Sequence, residues 1–171
     1  MKNSNRDAAT AYHEAGHAVA SWCLGRRVCS ATIVPDDDSA GRVKNEREKP
    51  STAFAVECGD PWHPSRFRAE KRVMIVQAGE VAQRRYNPRS VRRYHSQSDL
   101  NKSLDTLLSC NPYEEEPDVT HHYQLLRKWT ASLIERHWHL VEAVAKALLE
   151  RRTLSGTQIL DVIHEANQKT T

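Results

Sequence analysis

The stretch that decides the fold is residues 10–24, Thr-Ala-Tyr-His-Glu-Ala-Gly-His-Ala-Val-Ala-Ser-Trp-Cys-Leu. Its small and apolar residues recur with a period close to 3.6, which is the repeat of an α-helix. Upstream, Ser4 and Asp7 match a capping box, the pattern that satisfies exposed N–H groups at a helix start. Gly25 stands where a helix commonly ends. The sequence therefore predicts a helix over residues 4–24.

This helix carries an H-E-x-x-H motif, His13-Glu-Ala-Gly-His17. Positions four residues apart lie on one helical face, so the two imidazoles can reach a single metal ion at about 2.0–2.1 Å each. Glu14 is offset from His13 by roughly 100° around the helix. From there it can reach a water molecule beside the metal and act as a general base. The motif predicts a zinc site with hydrolytic chemistry. The alternative is a surface helix with two solvated histidines.

A catalytic zinc site needs a third protein ligand and an open position for water. In the metzincin pattern a glycine follows three residues after the second histidine, and a third histidine three residues later. This sequence has Ala20 and Cys23 at those positions, so that class is excluded. The residues alone leave the third ligand open among Glu80, His95, Asp99, Asp105 and the pair His121 and His122.

The rest of the chain is predicted to be mainly α with one small β-hairpin. Strands over Cys29–Val34 and Arg42–Lys44 form the hairpin, because a turn rich in Asp and Ser separates them. Residues 45–64 have no clear period and are predicted to form an irregular loop. Two tryptophans, Trp129 and Trp138, are expected in the helical core. Helices are predicted over 65–86, from 98 or 99 to before 112, over 118–135 and 137–152, and from the capping box of Ser155 and Gln158 to 166.

Composition narrows the function classes. The chain has 171 residues, of which 39% are hydrophobic and 27% charged, with a net charge of +3. This size predicts a single domain over 1–171, with a metal-site half (1–110) and a C-terminal helical half (111–171). The sequence has no phosphate-binding glycine loop, no signal peptide and no apolar window long enough to span a membrane. The small net charge makes a nucleic-acid partner unlikely.

The four cysteines form no CxxC pair. Because a domain of this size does not need covalent staples, they are expected to be free thiols in a reducing compartment. The sequence therefore predicts a cytoplasmic protein without a membrane partner. The residues concerned are Cys23, Cys29, Cys58 and Cys110.

Five segments, in the expected order, resemble the FtsH-type zinc metallopeptidase domain. The run Thr10–Val19 is similar to the family's zinc-binding helix, and this match is the most specific of the five. Ala31-Thr-Ile-Val-Pro35 is similar to the edge strand that follows that helix. The weaker matches are Gln77-Ala-Gly-Glu-Val-Ala82, Ser98-Asp-Leu100 and Leu148-Leu-Glu-Arg-Arg-Thr-Leu-Ser-Gly156.

The resemblance implies a zincin-like fold and a peptidase activity. It makes His13, His17 and Asp99 the ligands of a catalytic Zn²⁺, with Glu14 as the base. The sequence departs from the family's pattern at Ala78, where a glycine is usual, and at Gln83, where an acidic residue is usual. Residues 94–98 also lack the Thr-Gly pattern expected before the third ligand.

FtsH-type proteases carry membrane spans and an ATPase module before the peptidase domain, and this sequence contains neither. The resemblance therefore implies a standalone metalloendopeptidase that cleaves unfolded or flexible polypeptides without ATP. The alternative function is a weak or inactive metallopeptidase-like binding module that holds a protein partner.

Two regions are candidate binding surfaces. Thr32, Ile33 and Val34 are predicted to pair with an extended substrate by β-augmentation, provided that their strand forms an open sheet edge. A basic cluster beside the expected metal loop could bind an acidic partner, although a solvated helix end is the simpler interpretation. The cluster consists of Arg84, Arg85, Arg89, Arg92 and Arg93.

Overall fold

The computed structural model describes residues 2–35, 40–46, 64–91, 100–101, 103–108 and 116–169. Within these ranges the chain is mainly helical with a small antiparallel sheet, as predicted. The elements in chain order are α1 (Lys2–Cys23), β1 (Val28–Thr32), β2 (Arg42–Asn45), α2 (Pro64–Tyr86), a 3-10 turn (Pro88–Ser90), α3 (described at 100–101 and 103–108), α4 (Glu116–Arg136), α5 (Trp138–Arg151), β3 (Thr153–Ser155) and α6 (Gly156–Gln168).

Helix α1 ends as the sequence predicts but begins earlier. Gly25 adopts φ +72°, which an L side chain rarely tolerates. The N–H groups of Gly25 and Arg26 donate to the carbonyls of Trp22 and Ser21, the paired bonds of a Schellman cap. The capping box expected at Ser4 is wrong, because the helix already begins at Lys2.

The sheet has the order β2-β1-β3, with β1 antiparallel to both neighbours. The predicted hairpin of β1 and β2 is confirmed, whereas β3 was not predicted. The open sheet edge that substrate pairing at Thr32 would require is not present, because Thr32 pairs with Arg42 on one side and Thr153 on the other. The next residue is also occupied, since the N–H of Ile33 donates to the carbonyl of Arg152.

The core forms where α1 packs against α2 and α5. Close approach of α1 to α2 depends on Gly16, since an added Cβ would lie 2.5 Å from the carbonyl oxygen of Ala78. One continuous apolar cluster joins residues of α1, α2, β1, β3, α5 and α6, and so extends across both predicted halves. A smaller cluster connects α2, α3 and α4 through Val73, Leu107, Val119 and Leu126.

The C-terminal helices form largely as predicted. A full capping box between Ser155 and Gln158 opens α6, as expected. Trp138 packs on the core and stacks with Tyr12, but the prediction for Trp129 is wrong, because 52% of that residue is exposed. No helix in the described ranges is both long and apolar enough to cross a membrane.

Several sequence predictions fall outside the described residues. They include most of the loop over 45–64, the start of α3, and two of the cysteines, Cys58 and Cys110. The other two cysteines, Cys23 and Cys29, carry free thiols.

Candidate metal centre

The two histidines of the motif face each other on α1. Their rings lie edge to face, with centroids 4.7 Å apart and an interplanar angle of 83°. The Nε2 atoms of His13 and His17 are separated by 3.0 Å. Two nitrogens bound to one zinc ion at tetrahedral angles lie about 3.3 Å apart. A shift of a few tenths of an ångström would therefore bring this pair to ligand geometry.

Each ring is held from behind by a hydrogen bond at its other nitrogen. Nδ1 of His17 donates to the backbone carbonyl of Ile75 at 2.7 Å. Nδ1 of His13 donates to Oε1 of Gln83 at 3.0 Å. Because both acceptors are carbonyl oxygens, both Nδ1 atoms carry a proton, so each ring has the tautomer whose Nε2 can ligate a metal. Two lone pairs at this distance repel each other unless a proton or a metal cation lies between them.

The residue across from this pair is Gly79 of α2. A Cβ added to Gly79 would lie 2.7 Å from Nε2 of His13 and closer still to Nε2 of His17. Only a residue without a side chain leaves this space open beside both nitrogens. The donor atoms, their outer hydrogen bonds and the open space all fit a small cation, so the residues present are suited to zinc.

Glu14 follows His13 in α1 and is buried, with 5% of the residue exposed. Burial raises the pKa of Glu14 to about 8, and the nearby Arg42 guanidinium acts in the opposite direction. A cation between the histidines would lower this pKa by stabilising the carboxylate. The loop before β2 also passes Glu14, since a Cβ on Gly41 would lie 2.8 Å from Oε1. The carboxyl group therefore lies where α1 faces Gly41, the residue that precedes β2.

The third ligand is not assigned by the described residues. Asp99 and His95 lie outside them. Within the described ranges, no group of three His, Cys, Asp or Glu side chains is arranged to hold a metal. Asp105 and His121 are exposed residues of α3 and α4. Nε2 of His122 lies 3.1 Å from Oε1 of Glu70.

Glu80, one of the candidates for the third metal ligand, forms ion pairs with two arginines. Its Oε1 accepts hydrogen bonds of 2.7 Å from both Arg84 and Arg127. The residue is buried, with 8% exposed, so the two guanidinium groups compensate a carboxylate removed from water. Glu80 thus connects α2 to α4 through ion pairs.

The basic cluster is partly neutralised within the fold. Arg84 binds Glu80, and Arg85 forms an ion pair with Glu135 and lies 4.2 Å over the ring of Trp138. Arg89 is exposed at the 3-10 turn, and Arg92 and Arg93 lie outside the described residues. The described arginines therefore do not form a simple cationic patch.

Sequence reasoning missed three groups that shape the site: the carbonyl of Ile75, the open space at Gly79 and the side chain of Gln83. A backbone carbonyl has no signature in a sequence. Gln83 did carry a signal, because the resemblance described above implies an acidic residue at this position. Comparison with known proteins finds no family model and no curated relative that match this chain.

Proposed function

We propose that this protein is a zinc metallopeptidase of the FtsH type that cleaves unfolded or flexible polypeptides without ATP. The observation that carries the proposal is the pair of Nε2 atoms 3.0 Å apart, with both Nδ1 atoms engaged by carbonyl oxygens. Surface histidines would not need such support from a second helix. The buried Glu14, next to His13 in the motif, is the residue that distinguishes a catalytic site from a structural one.

His13 and His17 hold the cation in this proposal, with Asp99 as the third ligand. A zinc ion held by these residues would supply Lewis-acid chemistry for the hydrolysis. Glu14 takes the proton of the attacking water on its carboxylate and then donates it to the leaving amine nitrogen. Burial serves the first part of this step, because a carboxylate in an apolar environment has a raised pKa and is a stronger base toward the water proton.

The substrate position follows from the sheet order. Since β1 is paired on both sides at Thr32, an extended peptide cannot add to it there. β2 is the outermost strand in the described sheet order β2-β1-β3. Gly41, directly before β2, adjoins Glu14. We therefore propose that the substrate lies near Glu14, on the side of the sheet where β2 begins. Ile33 is buried in the core, so of the two residues after Thr32 it is Val34, which is exposed, that can contact a substrate.

The experiment compares the wild-type protein with Glu14→Gln for zinc content and for cleavage of unfolded casein. We expect zinc in both proteins, chelator-sensitive cleavage by the wild type, and a loss of at least about 100-fold in Glu14→Gln. Glu165→Gln, which changes an exposed carboxylate on α6, is the matched control and should keep full activity. Zinc binding without cleavage by the wild type would favour the binding module, and a wild type without zinc would refute the metallopeptidase.

A further inference from the structure

The Gln83 side chain connects the first histidine to the 3-10 turn that follows α2. Its Oε1 accepts the hydrogen bond from Nδ1 of His13 at 3.0 Å. Its Nε2 donates to two atoms of Ser90, the backbone carbonyl and Oγ, both at 3.1 Å. The oxygen of the amide group thus binds the motif helix α1, and its nitrogen binds the 3-10 turn.

The orientation of this amide follows from its partners. The carbonyl oxygen of Ser90 has no proton to donate, so only the NH₂ end of Gln83 can face it. The oxygen end must then face His13, whose Nδ1 must carry the proton of that bond. The hydrogen bonds from Gln83 to Ser90 therefore favour the His13 tautomer that has its proton on Nδ1. In this tautomer the lone pair is on Nε2, the atom proposed to bind the metal.

The turn itself is well held. The side chain of Asn87 accepts from the N–H of Arg89 at 3.1 Å and caps the turn. Ser90 closes it, since its N–H and Oγ both donate to the carbonyl of Asn87, at 3.0 and 2.7 Å. With its hydroxyl proton used in this way, Ser90 presents two acceptors to position 83. The turn therefore favours a side chain at position 83 that donates to Ser90, while His13 requires the same side chain to accept a hydrogen bond.

A carboxylate cannot meet both demands. Glutamate at position 83 would keep the acceptor for His13 but would place an unprotonated oxygen against the carbonyl of Ser90. The departure from the family's usual acidic residue is thereby explained by the local hydrogen bonds. Gln77, on the same helix, makes no such connection, because its side chain bonds to Tyr123 and Thr130 of α4.

We propose that Gln83 is a positioning residue that sets the metal affinity of His13 and couples it to the 3-10 turn of Pro88–Ser90. This inference rests on the proposed zinc site. One amide thus orients the first ligand and bonds to Ser90 at the end of the turn. The residue does not touch substrate or metal.

Zinc affinity, measured by competition with a chromophoric chelator, tests the metal side of the inference. We expect Gln83→Ala to bind zinc about 10- to 100-fold more weakly than the wild type, the range typical for loss of a histidine's outer partner. Gln83→Glu should recover most of this affinity, because it restores an acceptor for Nδ1. Gln77→Ala is the matched control, which should lose stability but keep its zinc affinity. Equal affinities of the wild type and Gln83→Ala would overturn the inference.

Two-bond ¹H–¹⁵N spectra of the histidines test the hydrogen bond without relying on zinc. In the metal-free wild type we expect His13 to carry its proton on Nδ1, and in Gln83→Ala to lose that preference. A spectrum of His13 that does not respond to Gln83→Ala would overturn the inference even if zinc binds. A wild type that binds no zinc but shows the expected tautomer change would instead refute the proposed peptidase and leave the hydrogen-bond coupling confirmed.

Discussion

Gly79 lies so close to His17 that a methyl group added to its Cα would overlap Nε2 of that imidazole. The same methyl group would lie 2.7 Å from Nε2 of His13. The glycine therefore belongs to the metal site although it has no side chain. The spacing of the motif does not reveal this relationship, because Gly79 belongs to α2 and the motif to α1.

Gly79→Ala should abolish zinc binding while leaving the protein folded. The Cβ would occupy the space beside both nitrogens, and the histidines could avoid it only by breaking their bonds to Gln83 and Ile75. We expect the zinc content, measured by mass spectrometry after dialysis, to fall by at least about 10-fold. Gly25→Ala is the control, because its positive φ costs about 1 kcal/mol of stability away from the site. Equal zinc content in wild type and Gly79→Ala would contradict the site geometry.

Glu80→Gln should destabilise the fold without removing zinc. The substitution leaves the guanidinium groups of Arg84 and Arg127 without their shared carboxylate. Because both arginines are partly exposed, we expect a loss of about 2 kcal/mol in the free energy of unfolding, below the full value for a buried pair. Glu135→Gln, which removes the exposed partner of Arg85, should change it by less than about 1 kcal/mol. Urea denaturation measures both, and loss of zinc in Glu80→Gln would restore Glu80 as a ligand candidate.

The thiols of Cys23 and Cys29 should differ in reactivity. Burial raises the pKa of Cys23 to about 11, whereas Cys29 is an exposed strand residue. Only the thiolate reacts with iodoacetamide, so at pH 8 about one Cys23 in a thousand is reactive. We expect its labelling rate to rise about 10-fold per pH unit from pH 8 to 10. Peptide mapping by mass spectrometry resolves each site, and equal rates for both thiols at pH 8 would disprove the prediction.

The two capping-box matches in the sequence should respond differently to alanine. Ser155→Ala removes the acceptor for the N–H of Gln158 and should cost about 1 kcal/mol of stability. Ser4→Ala should cost nothing measurable, because Ser4 occupies a position inside α1, which begins at Lys2. Thermal unfolding of the two variants decides between these assignments. A comparable loss in Ser4→Ala would indicate that α1 begins at Ser4 after all.

Much of the fold could be predicted because its signals are local. The helices were recognisable from periodicity, and the end of α1 from a glycine that adopts positive φ. Strand β3 could not be predicted, because its three residues become a strand only by pairing with Ser30–Thr32 of β1. The exposure of Trp129 could not be predicted either, because periodicity does not show which face of α4 packs against another element.

The sequence by itself determined that His13, Glu14 and His17 share a helix with the two imidazoles on one face, because a spacing of four residues is a property of the helix alone. The tertiary structure decided which groups bind the Nδ1 atoms of the two imidazoles. The partners of the two Nδ1 atoms, the Gln83 side chain and the Ile75 carbonyl, lie 70 and 58 residues along the chain from their histidines. Only the packing of α1 on α2 brings them behind the rings, and no local pattern encodes that contact.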